Sequence, residues 1–412
     1  MKRRHTIPAM LLAVVAAFTV CTAANAQVQP AATGSGATLD YDLSYTQMAE
    51  VYAGSEGDLI RGVASGELEY LNGKERTPLI VTYSGGDIWA IGGSASGTGV
   101  FQHLLVSQDF EARKWGLDLS NDMSFLPQSP TMGFSGIPGV GNLPGLPVLP
   151  SQPILTLNTR SIRNQASANY RHNLNYETSF SMGGNYAILH FPDGNGLDID
   201  QEQVQPQMNW RLNALNSVSA QYMYSRFSYP GSTFAMGTQS AQFSYLRVWN
   251  RRLKTNVYLG PEWIHSSNDL IVPPSTGFTA NAGIIYQTRS TSATLNYFRA
   301  TTGGTGVGTL IGIHNNDASL ELSHTYGRNL TVGASGSYLR TQGLLQTGVT
   351  NGKFGGVNAT QRLGEYITAS ASYTAIQQSS SQTLTTNTLN GLYQVISFSI
   401  AYHPREKHII RK

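Results

Sequence analysis

Residues 203–224 read QVQPQMNWRLNALNSVSAQYMY, and their alternation decides the fold. Val204, Pro206, Met208 and Trp210 alternate with Gln203, Gln205, Gln207 and Asn209; past a tight turn, Val218, Ala220, Tyr222 and Tyr224 alternate with Ser217, Ser219 and Gln221. A period of two marks a β-strand whose faces meet different surroundings. The pattern recurs in Phe278, Ala280, Ala282, Ile284 and Tyr286 against Thr279, Asn281 and Gly283, and in Ile367, Ala369, Ala371 and Tyr373 against Thr368, Ser370 and Ser372. A soluble sandwich also alternates, but its outer parity is rich in Lys and Glu and its inner parity packs as a core. Here the polar parity is Gln, Asn, Ser, Thr and Gly. The apolar parity sets small Ala residues between aromatics, as a lipid-facing wall with interfacial girdles does.

This hairpin is one unit of a repeat. Turn arginines fall at Arg171, Arg211, Arg251, Arg289, Arg328 and Arg362, at intervals of 40, 40, 38, 39 and 34 residues. Each interval holds two strands and two connections. An aromatic residue precedes the turn in Tyr170-Arg171, Trp210-Arg211, Trp249-Asn250-Arg251 and Tyr326-Gly327-Arg328. Alternating segments between residues 38 and 403 number about 18, with 16 as the alternative count, and their connections run long and short in turn, the Gly-rich stretch from Asp87 toward Thr98 reading as the second long one. The expected fold is all-β: a transmembrane, antiparallel, up-and-down β-barrel with short periplasmic turns, long extracellular loops and both termini periplasmic. Pro206 and Pro261 fall inside strands, and because proline cannot donate to a ladder, β-bulges are expected there, with misplaced strand ends as the alternative.

The N-terminus names a compartment. Lys2, Arg3 and Arg4 precede an apolar run from Ile7 to Val20 and an Ala24-Asn25-Ala26 cleavage site, so residues 1–26 read as a secretory signal peptide. Nowhere does an apolar run reach the roughly 18 residues of a spanning helix. The one cysteine, Cys21, leaves with this peptide, so the mature chain has no thiol chemistry. Residues 27–37 form a short leader without periodicity. Removing the signal peptide also removes three of the 27 basic residues, leaving 24 against 24 acidic ones and no basic field to draw nucleic acid. Only 12% of residues are charged, against a usual quarter or so, which fits an exported β-protein better than a helical enzyme.

Little in the chain suggests catalysis, a metal or a cofactor, and none is expected. His190, His265 and His314 lie near outer loops with Asp193, Asp269 and Asp317 close in sequence, but no nucleophile, base and orienter fall together. The run Gly303-Gly304-Thr305-Gly306-Val307-Gly308 lacks the following Lys-Ser/Thr of a phosphate-binding loop.

The segment 126–158 carries seven of the 17 prolines between Pro127 and Pro153, and no Asp, Glu, Lys or Arg occurs from Met123 to Thr159. It is the third long loop of the strand count. Here the chain resembles the porin-like outer-membrane β-barrel proteins of Gram-negative bacteria, in which a long third loop folds inward and narrows the pore. The resemblance makes Pro127, Phe134, Ile137, Pro138, Leu143, Pro144, Leu146, Pro147 and Pro153 a constriction loop. Covering a neighbouring protomer and projecting outward are the alternatives. Porin constriction loops usually offer carboxylates facing a basic ladder; this one is apolar, which argues against a strong transverse field. The last strand, with Tyr393, Ile396, Phe398, Ile400 and Tyr402, resembles the signal read by the barrel-assembly machinery. Residues 404–412 follow it and read as a solvated basic tail. The resemblance further implies outer-membrane lipid and lipopolysaccharide around the wall, and a homo-oligomer as an open alternative.

A wall of 16 to 18 strands encloses a lumen too wide for its own side chains to fill. Alternation assigns Arg163, Gln165, Glu177, Gln203, Gln205, Gln207, Asn209, Lys254, Asn256 and Glu321 to that lumen. Neutral hydrogen-bonding groups dominate, which suits passive diffusion of small, mostly uncharged hydrophilic solutes. A plugged structural or adhesive barrel and a polysaccharide-export barrel are the alternative readings.

Overall fold

The structure is a computed structural model that describes residues 37–52, 59–74, 76–92, 98–126, 160–194, 197–304, 311–344, 348–381, 390–404 and 407–408. Eighteen antiparallel strands follow the chain. The first nine are β1 (Ala37–Tyr52), β2 (Leu59–Asn72), β3 (Leu79–Gly92), β4 (Gly99–Glu111), β5 (Trp115–Leu126), β6 (Ser161–Asn173), β7 (Thr178–His190), β8 (Ile199–Arg211) and β9 (Asn216–Ser228). The rest are β10 (Ala235–Val248), β11 (Leu253–Ser266), β12 (Ser275–Gln287), β13 (Thr291–Gly304), β14 (Ile311–Tyr326), β15 (Leu330–Gly343), β16 (Val349–Arg362), β17 (Ile367–Ser380) and β18 (Gly391–Tyr402). Each pairs with its sequence neighbours, and β1 pairs with β18 from Leu43–Tyr402 to Tyr52–Tyr393, closing the sheet on itself. The expected 18-stranded up-and-down barrel is the observed one.

Closure satisfies every strand edge internally, which is what a sheet must do in lipid. The outward parity is apolar along the wall: Leu43 and Tyr45 on β1, Leu119 and Met123 on β5, and Phe243 on β10, which is 71% exposed. Toward the loop end, outward tyrosines donate to amides on the next strand, Tyr222 to Gln239 at 2.9 Å, Tyr338 to Asn351 at 3.0 Å and Tyr373 to Gln394 at 2.8 Å. Toward the turn end, Tyr245 donates to Asn216 at 2.6 Å and the Arg247 guanidinium lies 3.9 Å over the Trp249 ring. An aromatic body in the apolar slab with its polar tip satisfied at the rim is the arrangement of an interfacial girdle.

Asparagine, as much as arginine, closes the short turns. Asn175 Oδ1 accepts from the Glu177 and Thr178 amides, Asn213 Oδ1 from the Leu215 amide and Asn250 Oδ1 from the Arg252 and Leu253 amides, while the Thr288 hydroxyl accepts from Thr291 N–H. A side-chain oxygen holding amides two or three residues on builds a turn without glycine. In the β14–β15 turn a glycine takes the left-handed conformation instead, Gly327 with φ 64°. The arginines finish the device: Arg362 donates to the Gly364 and Glu365 carbonyls at 2.8 and 2.7 Å.

Three expectations need correction. No register shift occurs at Pro206 or Pro261. The ladder skips the rungs opposite them, between Val204–Tyr224 and Gln207–Gln221 and between Ser240–Glu262 and Phe243–Leu259, then resumes in the same register. The sheet absorbs a missing donor by omitting bonds without adding a residue. The bulge lies instead on β3, where the register with β2 shifts between Ile60 and Arg61 and the Trp89 ring fills the space a Cβ on Gly62 would take. Second, β3 continues through Gly92, although the Gly-rich run from Asp87 read as a loop: Gly86 packs its open face on the Phe101 ring, within 2.8 Å of where its Cβ would stand. Third, the tail is not wholly solvated. Lys407 and His408 pair with Leu39 and Thr38, a short extra rung beside the seam.

Candidate functional site

Parity and register together place the inward face. Along β8 the outward Val204 and Trp210 are exposed, so Gln203, Gln205, Gln207 and Asn209 project into the barrel. There they join amides and hydroxyls from the next two strands. Gln205 donates to Gln221 at 3.0 Å, Gln221 to Gln242 at 2.7 Å and Gln242 to the Ser240 hydroxyl at 3.0 Å. One rung away Gln207 donates to Asn209 at 2.8 Å and to Ser219 at 3.0 Å, and Ser219 shares a hydrogen with Ser244. Gln203 reaches the Met223 sulfur at 3.2 Å. Each amide keeps unused donor and acceptor capacity, so the chain of bonds orients the groups without exhausting them.

The other lumen residues expected from alternation stand elsewhere on the ring. Arg163 donates to Gln165 at 2.7 Å on β6. Lys254 and Asn256 share the inward parity of β11 with the buried Glu262. Glu321 is exposed on the inward parity of β14, opposite the exposed outward Leu320 and Leu322. Glu177 is displaced from the wall: it sits exposed in the β6–β7 turn, its amide held by Asn175. The period of two was carried one residue too far into a turn. The whole proposed constriction loop, from Pro127 to Pro153, lies outside the described residues, as do the signal peptide and most of the leader.

An apolar cluster does appear on the inward face among the described residues, on different segments. Ile199, Phe227, Tyr229, Phe234, Met236, Ile264 and Val272 form one buried cluster at the loop end of β8 to β11, with Leu197, Ile271 and Leu344 against it. The β13–β14 hairpin leans onto it. Pairing between β12 and β13 stops at Ala280–Arg299, while β13 stays paired with β14 up to Gly304–Ile311. Beyond that point Thr301 donates from its hydroxyl to Glu262 on β11 at 2.7 Å and from its amide at 3.3 Å. His314 Nδ1 meets the same hydroxyl at 2.9 Å, and Tyr229 O–H donates to the Gly303 carbonyl. Burial holds the Tyr229 phenol well above its ordinary pKa, so it stays a donor. Since Glu262 faces inward, a hairpin that reaches it from β13 must fold over the inside of the mouth. Isolated Phe and Tyr residues in loops carry no signal of this in the sequence; the overrun of β13 past its β12 partner exists only once the register is set.

The three histidines near outer loops are otherwise engaged. His190 pairs with Asp198 at 2.6 Å while Asp193 meets Arg160 at 3.9 Å, and His265 stacks on Tyr224 with centroids 6.4 Å apart.

No family model and no curated protein sequence matches the chain. Solved structures do. OccK2 (OpdF) of Pseudomonas aeruginosa superposes with a TM-score of 0.50 at 9% identity, covering 89% of this chain and 97% of that one. The same protein in complex with glucuronate gives 0.50 at 9% over 91% and 98%. The chain has the fold of a porin-like outer-membrane β-barrel. OccAB3 of Acinetobacter baumannii is also similar, with a TM-score of 0.48 at 9% identity over 90% and 99% of the two chains. At such identity this porin-like barrel shares an architecture with these proteins, and its lumen chemistry must be read from its own residues.

Proposed function

We propose that this barrel sits in the outer membrane and conducts small, mostly uncharged hydrophilic solutes by passive diffusion. The observation that carries the reading is the inward amide and hydroxyl network of Gln203, Gln205, Gln207, Asn209, Gln221 and Gln242 inside an 18-stranded wall. A hydroxylated solute can exchange its water for these groups one at a time, with little net change in hydrogen bonding along the way. The apolar outer wall and its two girdles supply the match to lipid. Single-channel recording of the refolded mature protein, residues 27–412, together with liposome swelling in neutral sugars of increasing size, tests the reading. Steady openings and size-limited swelling support it, and a folded protein that never conducts overturns it.

One observation favours a second reading. The buried cluster around Tyr229 and the hairpin bound to Glu262 stand where they would close the mouth, and a barrel sealed there would be a plugged, surface-displaying protein. The same recording separates the two.

A further inference from the structure

Charge on the inward face is segregated by sector. On β1, β2, β4 and β5 the outward positions Leu43, Tyr45, Leu68, Val100, Leu119 and Met123 are exposed, which fixes the opposite parity as inward. That parity carries Asp40 and Asp42 on β1, Glu67 and Glu69 on β2, Asp109 on β4, and Asp118 and Asp122 on β5. The register sets like charges directly across from each other: Asp40 opposite Glu69, Asp42 opposite Glu67, and Asp109 opposite Asp118. Like charges on directly opposed positions destabilise a sheet, so folding alone gives no reason for three such rungs within five successive strands.

Cations are scarce in this sector and common outside it. Arg61 is taken by Glu50 at 3.4 Å, His403 holds Asp42 at 2.6 Å at the seam, and Arg163 on the neighbouring β6 flanks Asp122, while Arg171, Arg211, Lys254 and Arg362 project from strands β6 to β16. Arg171 reaches only the rim of the acidic sector, at Glu111, 2.8 Å away. A second, independent feature lies among the carboxylates. The His103 side chain is 9% exposed and its Nε2 stands 3.1 Å from Asp122, yet its Nδ1 has no hydrogen-bond partner among the described residues. With Nε2 donating to the carboxylate, Nδ1 is left a buried, unsatisfied acceptor on the rung that also holds Ser84 and Glu67. Positive charge drawn to the carboxylates is favoured beside such a lone pair, and an anion is not.

We propose that the β1–β5 sector makes the lumen cation-selective and that it favours small solutes bearing an ammonium group. This rests on the channel reading above and narrows it: the amide network on β8 to β10 serves neutral groups, and the carboxylate sector opposite Lys254 and Glu321 draws positive ones. Low-dielectric walls focus such a field along the pore axis. A one-sided acidic lining excludes anions as rings of Asp and Glu do in cation channels.

The test is the reversal potential of single channels of the mature protein across a KCl gradient. The expected permeability for K⁺ is at least about twice that for Cl⁻. It should fall toward parity as salt approaches 1 M, where the screening length is only about 3 Å. Exchange of KCl for methylammonium chloride should preserve the cation preference. The paired variants D109N/D118N and E67Q/E69Q should each move the ratio toward one; should either fail to fold, the wild-type ratio and its salt dependence still decide. Steady channels with a ratio at or below one, or a ratio insensitive to both salt and the variants, overturn the proposal while leaving the channel reading intact. Complete absence of conductance in folded protein overturns the channel reading itself, and this inference with it.

Discussion

The Thr301 hydroxyl donates to the Glu262 carboxylate at 2.7 Å, binding β13 to β11 across the end of the strand that lies between them. Glu262 is 1% exposed, so this hydroxyl is a principal compensation for burying its carboxyl group. Thr301→Val keeps the shape and removes the donor, and should destabilise the protein by about 1–3 kcal/mol, the cost of a buried polar group left unsatisfied. Urea unfolding in detergent measures it. Because the same contact holds the hairpin over the mouth, the variant should also show larger or noisier single-channel currents. Unchanged stability would mean the carboxyl group finds water there.

The two faces of one wall should respond oppositely to charge. Phe243 on β10 is outward, 71% exposed and paired with Leu259 midway along the wall. Phe243→Arg should cost about 2–4 kcal/mol, the penalty for Arg on a lipid-facing midplane position. Glu321→Lys, on an exposed inward position, should stay within about 0.5 kcal/mol. Unfolding free energies of both variants in lipid vesicles provide the comparison. Equal costs would place Phe243 away from lipid.

Gly260 and Gly184 give a matched pair. A Cβ on Gly260 would stand 1.9 Å from the Ala241 carbonyl oxygen, backbone that cannot yield, at the rung next to Pro261 where the ladder already lacks bonds. Gly260→Ala should cost about 1–3 kcal/mol through overpacking. Gly184 has nothing within 4 Å of its would-be Cβ, so Gly184→Ala should be neutral or slightly stabilising. The heat-induced shift of the folded band on a gel ranks the two.

The barrel seam should weaken in alkali. His403, just past β18, holds Asp42 on β1 at 2.6 Å, and this hydrogen bond, reinforced by Asp40, raises the imidazole above its ordinary pKa despite the opposing effects of burial and Arg362. A group with a raised folded pKa stabilises fully below its unfolded value, near 6.5, and loses that contribution as pH rises through the folded value. Amide hydrogen exchange along the β1–β18 rungs should therefore be slower near pH 6 than near pH 8.5 once corrected for intrinsic rates. His403→Gln should abolish the difference. A seam equally protected at both values in the parent protein would contradict this.

Much of the fold was legible because lipid and water on opposite sides of a strand impose a two-residue period, which no helix reproduces. Strand number, order and sidedness all followed from Gln203 to Tyr224 and its repeats. What alternation cannot report is where a strand stops, so the period of two carries Glu177 onto the wall from a turn, and it misses that β3 runs on to Gly92 past Gly86, where the Phe101 ring fills the space of the absent side chain. Nor can it report register. The opposition of Asp40 to Glu69 and Asp109 to Asp118 exists only once neighbouring strands are aligned, which is why the acidic sector vanished into a balanced total of 24 and 24. Asn175, Asn213 and Asn250 recur at intervals of 38 and 37 residues and would have located three turns by themselves.

Because β1 completes its rungs with β18, the first strand made waits for the last. Most of the chain must be synthesised, exported and held in reserve before the ring can shut, and contacts so distant along the sequence are slow to form. Losing the final strand would not yield a smaller barrel. It would leave two raw edges, each a template for another copy, and turn a membrane protein into a seed for aggregation.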